Sequence, residues 1–430
     1  MGRRTRIMTQ SLGAKTMPEY FEQRWNSKAL KIATSAIVFV FLIPYTASVY
    51  NGLSRLFNMA FGIESDGAYR VIIVVMALLT AIYVILGGYS AIAINDFIQG
   101  MVMLVGIAAV VYCAVQNQGG FSSALASLGE IEVNGETNQL NAVFGPDPLN
   151  LLGVIVLTSL GTWGLPQMVH KFYAIKSENE IIKGAVISTI FALIVSGGSY
   201  LLGGFNRLFC TTDSTKSGKS LISTLSNRKL EYDAMIPALL ETTLPDILIG
   251  LVVVLVLSAS MSTLSSLVLT SSSTMTIDLI KPNLKKCGEK KEMIIMRVLI
   301  AVFLLVSVLI AFNKNASIST LMSYSWGALS GAFLGPFLYG LFSKKIIKAT
   351  VWASLISGVR LTLVHMVLFG FGWFPSLSAF AASLPLNLAS PINAGAILMI
   401  LSLILVPLVS RFTKVPDPKR VEDVFQCYQK

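Results

Sequence analysis

The sequence predicts an all-α, polytopic membrane protein, and its composition, its apolar segments and its charge pattern support this fold class. Hydrophobic residues make up 54% of the 430 residues and charged residues only 13%, which is about half the share that is usual in soluble domains. Apolar segments recur along the whole chain, and basic residues concentrate in alternate connections between them. Because backbone polar groups inside a bilayer must be satisfied within each segment, we expect a helical bundle.

Ten segments are long and apolar enough to cross a bilayer as helices of about 20 residues. They begin near Ile32, Val71, Phe97, Leu149, Gly184, Ile247, Val298, Ala316, Thr350 and Ala394. No soluble segment between them is large enough to be an enzyme or kinase domain. We therefore expect a single integral-membrane domain over residues 1–430.

The net charge of +11 indicates membrane topology rather than binding to nucleic acid. If the N-terminus lies in the cytoplasm, the predicted inner stretches contain 24 of the 33 Lys and Arg residues, as the positive-inside rule requires. The predicted outer loop 116–150 contains no Lys or Arg and four acidic residues. We expect a multi-pass protein of the plasma (inner) membrane, in contact with the lipid bilayer, with both termini in the cytoplasm and no nucleic-acid partner.

The first predicted span contains Pro44, which removes a backbone donor and is expected to bend the helix. Tyr45 and Thr46 follow it directly. A bend at this place would let both side chains line a cavity, but a kink that serves packing explains the pattern equally well.

Asp96 precedes the third predicted span, and Gln99 follows three residues later. This spacing is typical of a helix N-cap with a capping box. The spacing alone therefore favours a structural role for Asp96.

The stretch 158–167 reads TSLGTWGLPQ and places two glycines and a proline within six residues. Such an interruption inside a membrane is tolerated only beside a cavity or within protein, and it is the best sequence indication of a transporter binding site. A kinked packing helix is the alternative. The residues that we expect to contact a substrate are Thr158, Thr162, Trp163 and Gln167.

The stretch 247–277 combines an apolar helix with a stripe of hydroxyl groups and contains no Asp, Glu, Lys or Arg. Hydroxyls at mid-membrane either pack helices closely or bind something hard and polar, and spacing alone favours packing. At about 100° per residue, the serines that share one face are Ser258, Ser262, Ser265, Ser266 and Ser273.

The run A-x-x-S-T-L-S-S that begins at Ala259 resembles the signature of the sodium:solute symporter family, the group of glucose, proline and pantothenate symporters. The resemblance implies an inverted-repeat, broken-helix transporter fold of the LeuT-like type, with 247–277 as the eighth of ten core helices. It also implies that the Ala259 carbonyl and the Ser262 and Thr263 hydroxyls ligate a sodium ion. Sodium is a hard cation, and oxygen ligands of this kind suit it without burying a full negative charge.

Other segments resemble the family in the same order along the chain. Residues 16–25 resemble the cytoplasmic segment before core helix 3, and 158–167 resemble core helix 6. The resemblance therefore implies an N-terminally truncated chain without the helices before core helix 3, and we expect such a chain alone to be incompetent for sodium-coupled transport. The implied divisions are core helices 3 to 10 over about 32–343, accessory helices over about 349–412 and a cytoplasmic tail over 413–430.

The resemblance also gives Asp96 a second interpretation. The family has a similar T-D-x-x-Q run here, in which Asn95 of this chain replaces the threonine. Some members bind a second sodium ion at this place. The residues implied for a second sodium site are Asp96, Ser265 and Ser266.

The run 323–336 resembles core helix 10, and its S-Y-x-W start is very similar to that of the proline-symporter branch. Ser323, Tyr324 and Trp326 are therefore candidates for substrate contacts or a gate, with a small-residue packing face as the alternative. The similarity suggests a small amino acid such as proline as the solute. In the following accessory helix, Arg360 and His365 are intramembrane ionisable residues, for which snorkelling or a structural partner is the favoured explanation.

The sequence thus predicts a sodium-coupled secondary transporter, a symporter that imports a small organic solute by alternating access. Sodium is the expected ion, and no catalytic residue or obligate protein partner is expected. A receptor-like or structural membrane protein of the same fold, without transport, is the alternative. A membrane-embedded enzyme would need a nucleophile beside a base, and His170 and His365 occur in no such pattern.

Overall fold

Helices form almost the whole of the computed structural model, which describes residues 2–62, 65–133, 135–173, 175, 177–211, 219–220, 233, 235–283, 288–313, 317–413 and 418–428. The strands within this part of the chain are one parallel pair of two residues each, Cys210–Thr211 and Lys219–Ser220. The all-α fold class predicted from the sequence is therefore confirmed.

The α-helices, in chain order, are α1 (Gly2–Leu12), α2 (Met17–Trp25), α3 (Lys28–Ala60), α4 (Asp66–Asn117), α5 (Phe121–Glu130), α6 (Pro148–Leu160), α7 (Pro166–Tyr173), α8 (Glu178–Phe205), α9 (Met235–Thr243), α10 (Asp246–Thr274), α11 (Glu289–Ala311), α12 (Ile318–Phe342), α13 (Lys348–His365), α14 (Pro375–Ala382), α15 (Pro391–Arg411) and α16 (Pro418–Phe425). A 3-10 turn, Gly161–Gly164, joins α6 to α7, and a π-helical turn, Met275–Ile280, extends α10.

Capping residues explain where several of these helices begin. In each case the side chain of the residue before the helix accepts a hydrogen bond from a backbone N–H of the first turn, which would otherwise lack a partner. These residues are Thr16 for α2, Ser27 for α3, Ser65 for α4, Asp147 for α6 and Ser317 for α12.

Eight helical stretches in the described part of the chain are long and apolar enough to cross a membrane. A ninth span arises if α6 and α7 count as one, because they form a pair bent by 45° at the predicted interruption. Helix α12 also has the length of a span, with 25 residues, but its serines, glycines and aromatic residues lower its hydropathy. Each of the ten predicted spans thus coincides with a helix, although the start predicted at Ala316 lies outside the described residues.

Helix α4 has a continuous helical backbone over 52 residues, but it bends sharply in the middle. A straight helix would separate Tyr83 and Asn95 by about 18 Å along its axis. The Asn95 amide nevertheless donates a hydrogen bond of 3.0 Å to the Tyr83 hydroxyl. Two stretches of α4, Asp66–Leu86 and Ala93–Asn117, are each long and apolar enough to cross a membrane. Helix α4 packs against α10 and α3.

Helix α12 lies at the centre of the bundle and packs against α3, α13, α15 and the 3-10 turn. Its glycines permit close approach, as small residues do in membrane helices. The Gly335 N–H donates a hydrogen bond of 2.9 Å to the Ser402 hydroxyl of α15, and Gly164 lies against Ser330. The small-residue packing face considered for this segment is therefore present.

The two ends of the described chain contact each other on one side of the bundle. The Tyr428 hydroxyl donates a hydrogen bond of 3.1 Å to the Arg4 carbonyl, and the Arg420 guanidinium donates one of 2.9 Å to the Gln23 carbonyl. The segment expected as a tail after residue 412 thus includes α16, which packs against the N-terminal helices through buried Val421 and Val424.

Candidate functional site

A small polar cavity of about 50 Å³ lies between α3, α7 and α10. One water molecule needs roughly 10–15 Å³ of such space, so the cavity can hold an ion with a few water molecules. The cavity combines residues predicted for the sodium sites with residues predicted for substrate contact. Its lining consists of Tyr45, Gln167, Met168, Lys171, Ser262, Thr263, Ser266 and Leu267.

The hydroxyls of α10 are oriented by bonds to their own helix. The Thr263 hydroxyl donates to the Ala259 carbonyl over 2.9 Å, and the Ser265 hydroxyl donates to the Ser262 carbonyl over 3.0 Å. Such bonds are ordinary for serine and threonine in helices. Because the hydrogen of Thr263 is committed to the backbone, its oxygen lone pairs remain free for a cation in the cavity.

Gln167 is the lining residue whose polar atoms the surrounding protein leaves unsatisfied. Its side chain is only 3% exposed, and neither its amide oxygen nor its amide nitrogen has a hydrogen-bond partner in the structure. A buried polar group without a partner costs about 1–3 kcal/mol. A bound ion, solute or water in the cavity would remove this cost.

Asp96 lies inside α4, thirty residues after its start at Asp66, so the interpretation of Asp96 as a helix N-cap is wrong. The bend in α4 instead brings its carboxyl group to Ser262 of α10 and into the field of the Lys171 ammonium. One carboxyl oxygen of Asp96 is buried without a hydrogen-bond partner. Spacing along the sequence favoured the cap because it does not reveal that α4 folds back.

The other two candidates for a second sodium site have different surroundings. Ser266 lines the cavity. Ser265 is fully buried and interacts with the Tyr83 hydroxyl. Asp96 of α4 thus lies beside Ser262 of α10, and Ser262 shares the cavity lining with Ser266.

An aromatic pair extends the cavity toward α12. The rings of Tyr45 and Trp326 are 5.8 Å apart, edge to face, at 80°. The Trp326 indole nitrogen and the Ser323 hydroxyl are buried without hydrogen-bond partners. Both groups are therefore available to a polar ligand that reaches this part of the bundle.

Of the nine residues predicted to contact a substrate, two line the cavity, Tyr45 and Gln167, and seven do not. The Thr46, Thr158 and Thr162 hydroxyls donate to carbonyls of their own helices at 2.8–3.0 Å. Tyr324 faces the first accessory helix, where its ring lies 5.9 Å from that of His365. Trp163, the remaining candidate on the broken helix, packs partly buried against the hydrophobic core.

A buried charged cluster at the end of the bundle that carries both termini was not predicted. The Lys31 ammonium lies 3.0 Å from a Glu22 carboxylate oxygen and 3.6 Å from one of Asp278. The Thr16 hydroxyl donates to Asp278 over 2.7 Å, and the Met17 N–H donates to His170 over 3.2 Å. The charged residues within 16–31 and the lone Asp278 after an apolar helix were the available signals.

Comparison with known proteins gives the family and the fold. The model of the sodium:solute symporter family matches residues 4–358. Sodium/proline symporters of Staphylococcus aureus, strains JH9 and Newman among them, are 27% identical over 436 residues, which cover 98% of this chain and 78% of theirs. A solved structure of a Na⁺-coupled sialic acid symporter, substrate-bound and outward-open, is similar with a TM-score of 0.63 at 17% identity, over 97% of this chain and 84% of that one.

At 17% identity, the structural similarity shows a common fold, which confirms the LeuT-like class expected from the sequence. The family match covers most of the chain, and the family and the relatives are transporters rather than enzymes. With its apolar helices, this protein is a multi-pass membrane protein. The chain belongs to the sodium:solute symporter family.

Proposed function

We propose that this protein imports a small organic solute together with sodium by alternating access. Family membership supports sodium as the coupling ion. The cavity between α3, α7 and α10 is the observation that carries the proposal, because it joins hydroxyl oxygens with the unsatisfied amide of Gln167. Sodium and the solute stabilise the same binding-competent state, so each raises the affinity for the other.

For sodium, we propose the Ala259 carbonyl and the Ser262 and Thr263 hydroxyls as ligands. The free lone pairs of Thr263 support this assignment. The Ala259 carbonyl lies inside α10, where it accepts the helical N–H of Thr263 as well as the Thr263 hydroxyl. Its coordination of sodium therefore requires the ion to displace the hydrogen bond from the hydroxyl. We also propose a second sodium site between Asp96 of α4 and the Ser265 and Ser266 hydroxyls, supported by the buried, unpartnered oxygen of Asp96.

We propose a small amino acid as the solute, with proline as the first to be tested. The names of the relatives and the S-Y-x-W run support this choice. The solute would contact Tyr45, Trp326 and Ser323, which offer an aromatic surface, an indole N–H and a hydroxyl. We further propose the plasma membrane as the location, with both termini in the cytoplasm.

Uptake by the purified 430-residue chain in proteoliposomes tests the function. If the proposal holds, an inward sodium gradient drives accumulation of labelled proline and a potassium gradient does not. This result would also overturn the expectation, drawn from the resemblance, that the chain alone is incompetent for sodium-coupled transport. The double variant S262A/T263A should raise the sodium concentration for half-maximal uptake at least about tenfold, since each lost ligand costs roughly 1–3 kcal/mol. The variant D96N should lower the Hill coefficient for sodium toward one.

A matched control is the double variant S188A/T189A on α8. These two hydroxyls also donate to a carbonyl of their own helix, at 3.1 and 2.8 Å, but both residues are exposed and lie outside the cavity lining. Their loss should leave the sodium dependence unchanged. If S262A/T263A lowers only the amount of folded protein and not the sodium dependence, the hydroxyls serve packing and the site assignment is wrong.

A further inference from the structure

Lys171 is a lining residue of the polar cavity that neither the sodium site nor the solute contacts use. It lies near the end of α7 and borders the cavity together with Ser262, Thr263 and Ser266. Its charge acts on the carboxyl group of Asp96. The residue as a whole is exposed, so its ammonium has access to solvent outside the cavity.

We propose that the Lys171 ammonium is a built-in cation that competes with sodium for this cavity. The inference rests on the proposed sodium site. It adds that the Lys171 ammonium occupies this site when sodium is absent. In that state the ammonium would move into the cavity, where its three N–H groups could donate to the amide oxygen of Gln167, which has no partner in the structure, and to the α10 hydroxyl oxygens. The flexible four-carbon stem of lysine permits both this position and retreat into solvent.

Sodium and the ammonium exclude each other for two reasons. The cavity beside Lys171 holds about 50 Å³, so an ammonium that moved into it would occupy the space that sodium needs. Two like charges a few ångströms apart also repel strongly where water is scarce. Sodium therefore binds only when Lys171 leaves, and the position of Lys171 links occupancy of the ion site to α7, the helix that follows the break.

The unpartnered polar atoms of Gln167 and Asp96 are compatible with an exchange between the Lys171 ammonium and sodium. Gln167 offers a carbonyl oxygen to either cation, and Asp96 offers a negative charge that either cation compensates. The simpler explanation of Lys171 is that a basic residue near a helix end extends into water. In that case its charge has no specific effect on sodium binding.

The experiment is a measurement of sodium affinity for the purified chain, by binding of radioactive ²²Na⁺ and by sodium-dependent thermal stabilisation, with choline replacing sodium at constant ionic strength. The variant K171Q should bind sodium at least about tenfold more tightly, because the competing charge is gone. The variant K171R keeps the charge and should stay close to the original affinity. The control K183Q removes the exposed lysine that pairs with Glu180 at 3.0 Å and should change nothing.

A double-mutant cycle identifies the route of the effect. In the D96N background, K171Q should increase the affinity less than it does alone, because part of the competition acts through Asp96. Sodium binding that K171Q leaves unchanged or weakens overturns this inference and leaves the proposed function intact. Absence of sodium binding from both the original chain and K171Q removes the proposed function as well, whereas binding gained only in K171Q supports the competition directly.

Discussion

At the scale of single residues, the hydroxyls of α10 and the amide of Gln167 give different kinds of information. Serine and threonine satisfy themselves on their own helix, as Thr263 does on Ala259, so their presence is compatible with packing alone. Glutamine has no such local partner here, and its two unsatisfied atoms are explained by a ligand. The sequence predicted Gln167 from the glycine and proline pattern around it, but not that its amide would be unpaired.

The variant Q167L should separate function from stability. Leucine has a similar volume and no polar atoms, so it removes the cost of an unsatisfied buried amide, roughly 1–3 kcal/mol. We expect a melting temperature equal to or above that of the original chain, measured in detergent without sodium or solute, and loss of sodium-driven uptake. Retained uptake would show that the amide contacts neither the ion nor the solute, and a lower melting temperature would show that it has an unseen structural partner.

At the scale of helices, local pattern predicted where the spans lie, and long-range contacts decided how they bend. Hydropathy and charge located each of the ten spans, and the G-x-x-G-x-P run correctly predicted the break between α6 and α7. The same local reasoning misjudged Asp96, since a hydrogen bond between Tyr83 and Asn95 cannot be inferred from spacing. It also missed α5, which forms inside the predicted outer loop.

Packing of α12 against α15 provides a test at this scale. A Cβ atom on Gly335 would lie 2.4 Å from the Ser402 carbonyl oxygen, a backbone atom that cannot move aside alone. We therefore expect G335A to destabilise the fold by about 1–3 kcal/mol, as overpacking does, in spite of the higher helix propensity of alanine. Reversible unfolding in mixed detergent measures the change.

The matched control is G184A on α8, where a Cβ atom would meet nothing within 4 Å. Alanine at position 184 should leave the stability of the fold unchanged or raise it slightly, because its Cβ atom makes no clash and alanine has a higher helix propensity than glycine. Equal effects of the two substitutions would mean that α12 and α15 are farther apart than described.

At the scale of the whole molecule, both termini and the buried charged cluster share one side of the bundle. Lys31 there compensates Glu22 and the fully buried side chain of Asp278, and the hydrogen bond from Met17 to His170 ties α2 to α7. The cluster therefore connects the helix that follows the break to the N-terminal segment and to the end of α10. Local sequence patterns do not reveal this cluster, because its members come from three parts of the chain, 16–31, His170 and Asp278, which are more than 100 residues apart.

The orientation of this side in the membrane is the last prediction. The charge pattern places it in the cytoplasm, since the stretches expected inside contain 24 of the 33 basic residues. A membrane-impermeant maleimide applied to intact cells should therefore not label Cys427 when the other three cysteines are replaced by alanine. Permeabilised cells should be labelled at this partly exposed thiol.

A cysteine on the side of the membrane opposite to Cys427 serves as the matched labelling probe. Val143 lies in the predicted outer loop and is 90% exposed, so V143C in a chain without other cysteines should react in intact cells. Because the contact between Tyr428 and Arg4 fixes both ends to one side, a single orientation must account for both labelling results. Labelling of Cys427 from outside, together with protection of V143C, would invert the topology and with it the direction in which the sodium gradient acts on the cavity.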